Sequence, residues 1–141
     1  MTAPLRPPQR RRRQDMRRRQ DMRRRRQAAE RRGRVGELLA MVWLSAKGWR
    51  ILARRWRKAD GEVDLIARRG ALVIFVEVKL RPSLDEAAHA LTPWQWRRTA
   101  RAARSWQMRH APSCSWRYDA VLLAPWRWPV HLEGAWEEPT R

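Results

Sequence analysis

Two apolar runs of strand character, Glu62-Val-Asp-Leu-Ile-Ala67 and Leu72-Val-Ile-Phe-Val-Glu-Val-Lys79, flank a short arginine- and glycine-containing turn. Runs rich in β-branched and aromatic residues with glycine between them read as paired strands, and no other segment restricts the fold as tightly. These two also carry three acids and a lysine. Ionised side chains inside such runs are costly unless paired or bound to a cation. Glu62, Asp64, Glu77 and Lys79 therefore mark a polar site built on an antiparallel hairpin.

An even-length loop centred on Arg69-Gly70 puts Asp64 opposite Phe75 and Glu62 opposite Glu77. Directly paired residues project to the same side of a sheet. Glu62, Asp64, Glu77 and Lys79 then share one face, and Val63, Leu65, Val76 and Val78 share the other. Asp64 and Glu77 become diagonal neighbours, roughly 7–8 Å apart at Cα and within reach of one divalent cation. A three-residue loop would instead turn Glu77 to the opposite face.

Two acids and a lysine on adjacent strands suit metal-assisted attack on a phosphodiester. Hard carboxylate oxygens select Mg²⁺ or Mn²⁺, with Asp64 and Glu77 as the ligands. Lys79 would position water or stabilise the charge that develops on phosphate. The plainer alternative is a surface hairpin with exposed salt bridges. Lysine usage bears on the choice: of 33 basic residues only Lys47, Lys58 and Lys79 are lysine, so its placement at the end of the second run is selective.

Six ordered motifs extend the pattern: Gly33-Arg-Val-Gly-Glu-Leu-Leu-Ala40, Gly48-Trp-Arg-Ile-Leu-Ala53, Gly61-Glu-Val-Asp-Leu-Ile-Ala67, Val76-Glu-Val-Lys79, Leu91-Thr-Pro93 and Arg117-Tyr-Asp-Ala-Val121. Together they resemble the bacterial UPF0102 (YraN-type) family, which is similar in fold to Holliday-junction resolvases and other PD-(D/E)XK nucleases. The resemblance runs from about Gly33 to the C-terminus. It implies an α/β domain with a restriction-endonuclease-like αβββαβ core, a mixed sheet flanked by helices. Asp64, Glu77 and Lys79 match the metal-binding acids and lysine of that superfamily, and Glu37 matches the acid contributed by its first helix. Resolvase relatives work as dimers, so a homodimer is implied as well. Where relatives commonly carry a basic-glutamine pair after Thr92, this chain reads Pro93-Trp94-Gln95-Trp96-Arg97-Arg98.

Charge points to the same class of partner. The formal net charge is +19 over 141 residues, of which residues 1–32 carry +11 and residues 33–141 carry +8. Both parts attract polyanions, so nucleic acid, DNA first, is the expected partner. No apolar run approaches membrane-spanning length and residues 1–32 lack the apolar core of a secretory signal, so a cytoplasmic protein without membrane contact is expected. Cys114, the sole cysteine, excludes an internal disulfide and a cysteine-based zinc site. His89, His110 and His131 are scattered without metal-ligand spacing.

Residues 1–32 contain a near-repeat, Arg11-Arg-Arg-Gln-Asp-Met16 followed by Arg17-Arg-Arg-Gln-Asp-Met22. Arg, Gln and Met favour helix, but like-charge repulsion predicts a segment disordered until an anion screens it. It reads equally as a basic arm lying along phosphates, as a solvated low-complexity tail, or as the product of an over-extended start with Met16 or Met22 the first native residue. The domain proper is residues 33–141.

Within that domain, Arg34–Lys47 reads as a helix ended by Gly48, with Leu38, Leu39, Val42 and Trp43 as its apolar face. Glu37, in its first turn, complements the helix dipole on its own terms and becomes a site residue through the family resemblance. Trp49–Arg54 reads as the first strand. Pro93 starts a second long helix reaching His110, with Trp96, Ala100, Ala103 and Trp106 facing the core. Arg97, Arg98, Arg101 and Arg104 on its remaining surface are the candidate phosphate contacts, with a solvated charged face as the alternative. Arg117–Leu123 and Val130–Glu133 read as further strands, the second at an edge. Asp119 is a candidate for a buried structural hydrogen bond. Trp126, Trp128 and Trp136 either stack on unpaired bases or cover a small core. The functional expectation is a Mg²⁺-dependent endonuclease acting on structured or single-stranded DNA. Its competitors are a non-catalytic nucleic-acid-binding module and a partner-binding protein that keep the fold.

Overall fold

The computed structural model describes residues 9–140. Its elements are α1 (Gln9–Ala46), β1 (Arg50–Lys58), β2 (Gly61–Arg69), β3 (Leu72–Leu80), α2 (Leu84–His89), α3 (Pro93–His110), β4 (Ser115–Leu123) and β5 (Val130–Trp136). The chain divides into two units, Met1–Arg32 and Gly33–Arg141. Residues 1–8 of the expected arm lie outside the described residues. Residues 9–32 form the exposed first part of α1 rather than a disordered segment. Arg, Gln, Met and Ala are all good helix formers, and their summed propensity favours helix here.

The sheet has strand order β1-β2-β3-β4-β5, with β3 and β4 parallel and every other pair antiparallel. This is an α/β fold with a five-stranded mixed sheet flanked by helices, as expected. A parallel neighbour requires a crossover, and α2 and α3 supply it between β3 and β4. The C-terminal part of α1 covers one face: Ala40 and Leu44 pack with Leu65, Ala67, Ile74, Val76, Val121 and Leu123. Helix α3 covers the other, where Trp96, Ala103 and Trp106 pack with Phe75, Val73 and Tyr118. Phe75 meets both Trp106 and Tyr118 at 5.9 Å between ring centres, so aromatic contacts dominate this layer.

Helix α3 has the bounds read from the sequence. Pro93 opens it, and the Thr92 hydroxyl accepts the Gln95 amide hydrogen. Gly48, at φ +89, closes α1 as expected. The buried face of α1 differs from expectation: Gly36, Glu37, Ala40 and Leu44 are buried, while Leu38, Leu39 and Val42 are exposed and Trp43 is half-buried. At Gly36 helix and sheet approach closely, which requires a small residue on the inner face there. A Cβ on Gly36 would stand 3.2 Å from Leu80 Cβ. Helix α2 starts at the capping-box signature Ser83-Leu-Asp-Glu86, where the Ser83 hydroxyl accepts the Glu86 amide hydrogen at 3.1 Å.

The β2–β3 turn is Gly70-Ala71, between the paired residues Arg69 and Leu72, one residue further along than expected. Phe75 consequently pairs with Ile66 and not with Asp64. The displacement is even, so the facing of the two runs relative to each other survives, and Asp64 comes level with Glu77 instead of diagonal to it. A second departure lies in β1. The ladder with β2 shifts register between Ile51 and Ala53, and further along it leaves Arg55 and Asp64 out between Arg54↔Leu65 and Trp56↔Val63, where Arg55 adopts φ +49. Side-chain alternation resets at this break. Val63 and Ile66, three residues apart, both join the α3 cluster, so Val63 does not share a face with Leu65 and Val76 as strict alternation predicts. A left-handed non-glycine residue of this kind costs of order 1–3 kcal/mol and persists only where its surroundings hold it.

Candidate active site

The break in β1 and β2 creates the site. One step past the last paired residues, Leu65 and Val76, the β2–β3 ladder stops and Asp64 Oδ2 accepts the Val78 amide hydrogen at 2.9 Å. A carboxylate thus stands in for a missing strand partner, which fixes its position at the level of Glu77. From α3, the fully buried Thr99 hydroxyl donates to Glu77 Oε1 at 2.5 Å, while also lying 3.1 Å from the Gln95 carbonyl of the preceding turn. Lys79, two residues along the same face of β3, places Nζ 4.0 Å from Glu77 Oε2. Glu77 and Lys79 are both buried.

Glu37 is buried at the docked start of α1, where its Oε2 accepts from Arg55 Nε at 2.6 Å. Arg55, at φ +49 where the ladder leaves Asp64 out, thus holds the α1 acid with its side chain. Close approach also governs β2: a Cβ on Gly61 would overlap the Arg98 carbonyl, so only glycine lets β2 start beneath α3.

Electrostatically, the two strand acids are linked: the Asp64 charge disfavours the Glu77 anion, while a hydrogen bond between the two carboxyls favours the Asp64 anion. Burial pushes the Glu77 carboxyl well above the ordinary carboxylate range and the neighbouring Asp64 charge pushes it further, against the opposing pull of Thr99 and Lys79. Burial likewise raises Asp64, opposed by the Val78 amide and Lys79 and reinforced by Glu37. Lys79 faces these two dry, adjacent carboxylates and offsets their burial only in part. Their hard oxygens suit Mg²⁺ or Mn²⁺, which commonly take one or two protein carboxylates and complete their shells with water and phosphate oxygens. Among the described residues no group of three or more Asp, Glu, His or Cys is arranged to hold an ion. Any ion here would therefore have Asp64 and Glu77 as its side-chain ligands.

The structure thus brings Asp64, Glu77 and Lys79 together and holds Glu37 against Arg55 close enough to Asp64 to raise its pKa. Glu62 lines the same concavity as Glu77, although its carboxylate pairs with Arg57 at 3.2 Å. The four arginines of α3 are divided. Arg98 turns toward the Glu77 concavity, whereas Arg97, Arg101 and Arg104 line a separate groove with Trp136 and Glu138, and Arg104 is ion-paired to Glu138. Trp136 stacks on Trp96 in the core layer, while Trp126 and Trp128 are exposed. Thr99 and Arg55 escaped sequence reading. Thr99 had a signal, as a polar residue beside the apolar positions of α3; Arg55 had none, since its role depends on the strand break.

Against known sequences, residues 36–123 match the model of a family described as Uncharacterised protein family UPF0102. This chain belongs to the UPF0102 family. A UPF0102 protein of Mesorhizobium japonicum is 55% identical over 109 residues, covering 76% of this chain and 87% of the relative. One of Paramagnetospirillum magneticum is 51% identical over 114 residues, covering 77% and 88%. The UPF0102 match includes Glu37, Asp64, Glu77 and Lys79 and leaves out the arginine-rich start. No helix among the described residues is long and apolar enough to cross a membrane.

Proposed function

We propose that this UPF0102 protein is a divalent-metal-dependent endonuclease for structured or single-stranded DNA. The supporting observation is the contrast between its buried acids. Asp119 is neutralised in the usual way, by a two-pronged hydrogen-bonded pair with Arg117. Asp64 and Glu77 are instead held side by side, with only the ammonium of Lys79 at 4.0 Å from Glu77 to offset them. Such an arrangement costs stability unless a cation joins it.

When bound, Mg²⁺ or Mn²⁺ would supply Lewis acidity toward a phosphoryl oxygen and a more acidic water. The Val78 amide and the Thr99 hydroxyl keep Asp64 and Glu77 oriented, so little reorganisation is needed at the moment of reaction. Lys79 brings a compact, three-donor cation to the reacting phosphate. Glu37, oriented by Arg55, serves as the outer acid. Titration calorimetry with MnCl₂ and MgCl₂ tests this. Heat of binding in the native chain that disappears in Asp64→Asn and Glu77→Gln supports it. Absence of binding would leave the second reading, a nucleic-acid-binding module without catalysis, which the lack of a three-ligand cluster among the described residues favours.

Residues 9–32 are exposed along their whole length and rich in arginine, which suits phosphate contact without sequence readout. A chain beginning at Gly33 should bind all DNA sequences more weakly by a similar factor. Each phosphate that the shortened chain no longer neutralises should flatten the log–log salt slope by about 0.9 on duplex or 0.7 on single strands. An unchanged slope would make these residues a solvated tail.

A further inference from the structure

Beside Glu77 opens a concavity of about 230 Å³, lined by Glu62, Glu77, Trp94, Gln95, Arg98 and Thr99. That is smaller than the roughly 300–1,000 Å³ of pockets that enclose a whole small ligand, so it is a notch for one group of a larger molecule. Trp94 and Arg98 stand one helical turn apart on α3, and the Arg98 guanidinium carbon lies 5.0 Å from the Trp94 ring centre.

Trp94 is 61% exposed, whereas Trp96 and Trp106 of the same helix are buried in the aromatic layer. Packing therefore does not account for a tryptophan here. Its chemistry suits a flat, neutral partner: the ring is apolar, and its guanidinium neighbour supplies the positive charge that the acid-lined notch otherwise lacks. Glu62 is held by Arg57 and Glu77 by Thr99, so neither acid is paired to Arg98.

We infer that Trp94 and Arg98 form a subsite for one unpaired nucleotide beside the Glu77 carboxylate, the base stacking on the indole and the phosphate meeting the guanidinium. The inference builds on the endonuclease reading and narrows its substrate to DNA with an unstacked base at the site. In an intact duplex both faces of a base are covered by its neighbours, so an indole platform favours single strands, gaps and junction arms.

Binding of the full chain to a fluorescein-labelled oligothymidine strand and to a duplex of the same length, followed by anisotropy in EDTA, tests this subsite without requiring metal or catalysis. Trp94→Ala should weaken single-strand binding by roughly 5- to 150-fold, the range expected for removal of one base–aromatic stack, and leave duplex binding within about twofold. Trp94→Phe should retain most of the affinity. Arg98→Ala should flatten the single-strand salt slope by about 0.7. Equal weakening on both DNAs, no weakening on the single strand, or a Phe variant as weak as Ala would overturn the subsite. An unchanged melting temperature for Trp94→Ala guards against misfolding. A selective loss in a chain that never cleaves would keep the subsite and sink the endonuclease reading, while cleavage indifferent to Trp94 would do the reverse.

Discussion

Mn²⁺-dependent nicking of branched or single-stranded DNA should be abolished by Asp64→Asn and by Glu77→Gln, while DNA binding persists. Both substitutions keep size and shape and remove one anion, so they withdraw a metal ligand without altering the basic surface. Glu77→Gln still offers an oxygen to the Thr99 hydroxyl, so the hydrogen bond across β3 and α3 can survive. Lys79→Ala should lose activity by about 100- to 1,000-fold, the usual scale for removing a donor that stabilises developing charge. Lys79→Arg should rescue poorly, because a planar guanidinium does not replace a compact ammonium in a buried position beside Glu77. Nicking by both acid variants at the native rate would refute the assignment, and full rescue by arginine would show that charge alone matters. A plasmid-relaxation assay and a parallel gel-shift on the same preparations provide both readouts.

The largest stability effect should come from Asp119→Ala. Asp119 is fully buried and accepts from Arg117 Nε at 2.7 Å, Arg117 Nη2 at 2.8 Å, His131 Nε2 at 2.7 Å and the Gly134 amide at 3.0 Å. It sits where the β4–β5 ladder shifts register between Tyr118 and Ala120, so its side chain closes a gap that backbone pairing leaves open. Breaking a buried pair typically costs about 3–5 kcal/mol. The lower end applies here because the Arg117 side chain is 29% exposed and can be hydrated once alone. Urea denaturation at neutral pH measures the loss, and a change below about 1 kcal/mol would show that the network contributes little.

Acid should expose the same network. Burial raises the Asp119 pKa, but Arg117, His131 and the Gly134 amide together outweigh it and hold the carboxyl below its ordinary value. A group depressed in the folded state contributes stability that is fully present above its unfolded pKa and is lost as pH falls through the folded one. The difference between the native chain and Asp119→Ala should therefore be widest at neutral pH and narrow below about pH 4.

Much of this molecule was legible in its sequence where local rules suffice. The α3 bounds follow from Pro93, the Thr92 cap and the spacing of Trp96, Ala100, Ala103 and Trp106. The closeness of Asp64 to Glu77 was legible in a hairpin with an even loop, although the strict alternation behind that reading fails at Val63. The failures share a cause in tertiary contact. At Gly36 the α1 inner face lies against Leu80, which requires a small residue there in place of the larger apolar ones that periodicity selects. Val63 joins the α3 cluster beside the point where Arg55 takes a left-handed backbone, and arginine carries no local signal for that. Thr99 is a poor helix former by propensity and acquires its role only by packing against Glu77.

Strand β1 has a further consequence, for how this sheet meets other copies of itself. It is an edge strand with five basic residues among its nine, of which Arg55 and Arg57 are ion-paired to Glu37 and Glu62 while Arg50, Arg54 and Lys58 add further positive charge. An open, flat strand edge is a template for association, and natural proteins blunt such edges with charge and local distortion. The same left-handed Arg55 that orients the α1 acid also interrupts the regular edge. Two β1 strands laid side by side would oppose like charges across a kinked ladder, so runaway edge-to-edge polymerisation is disfavoured along this side.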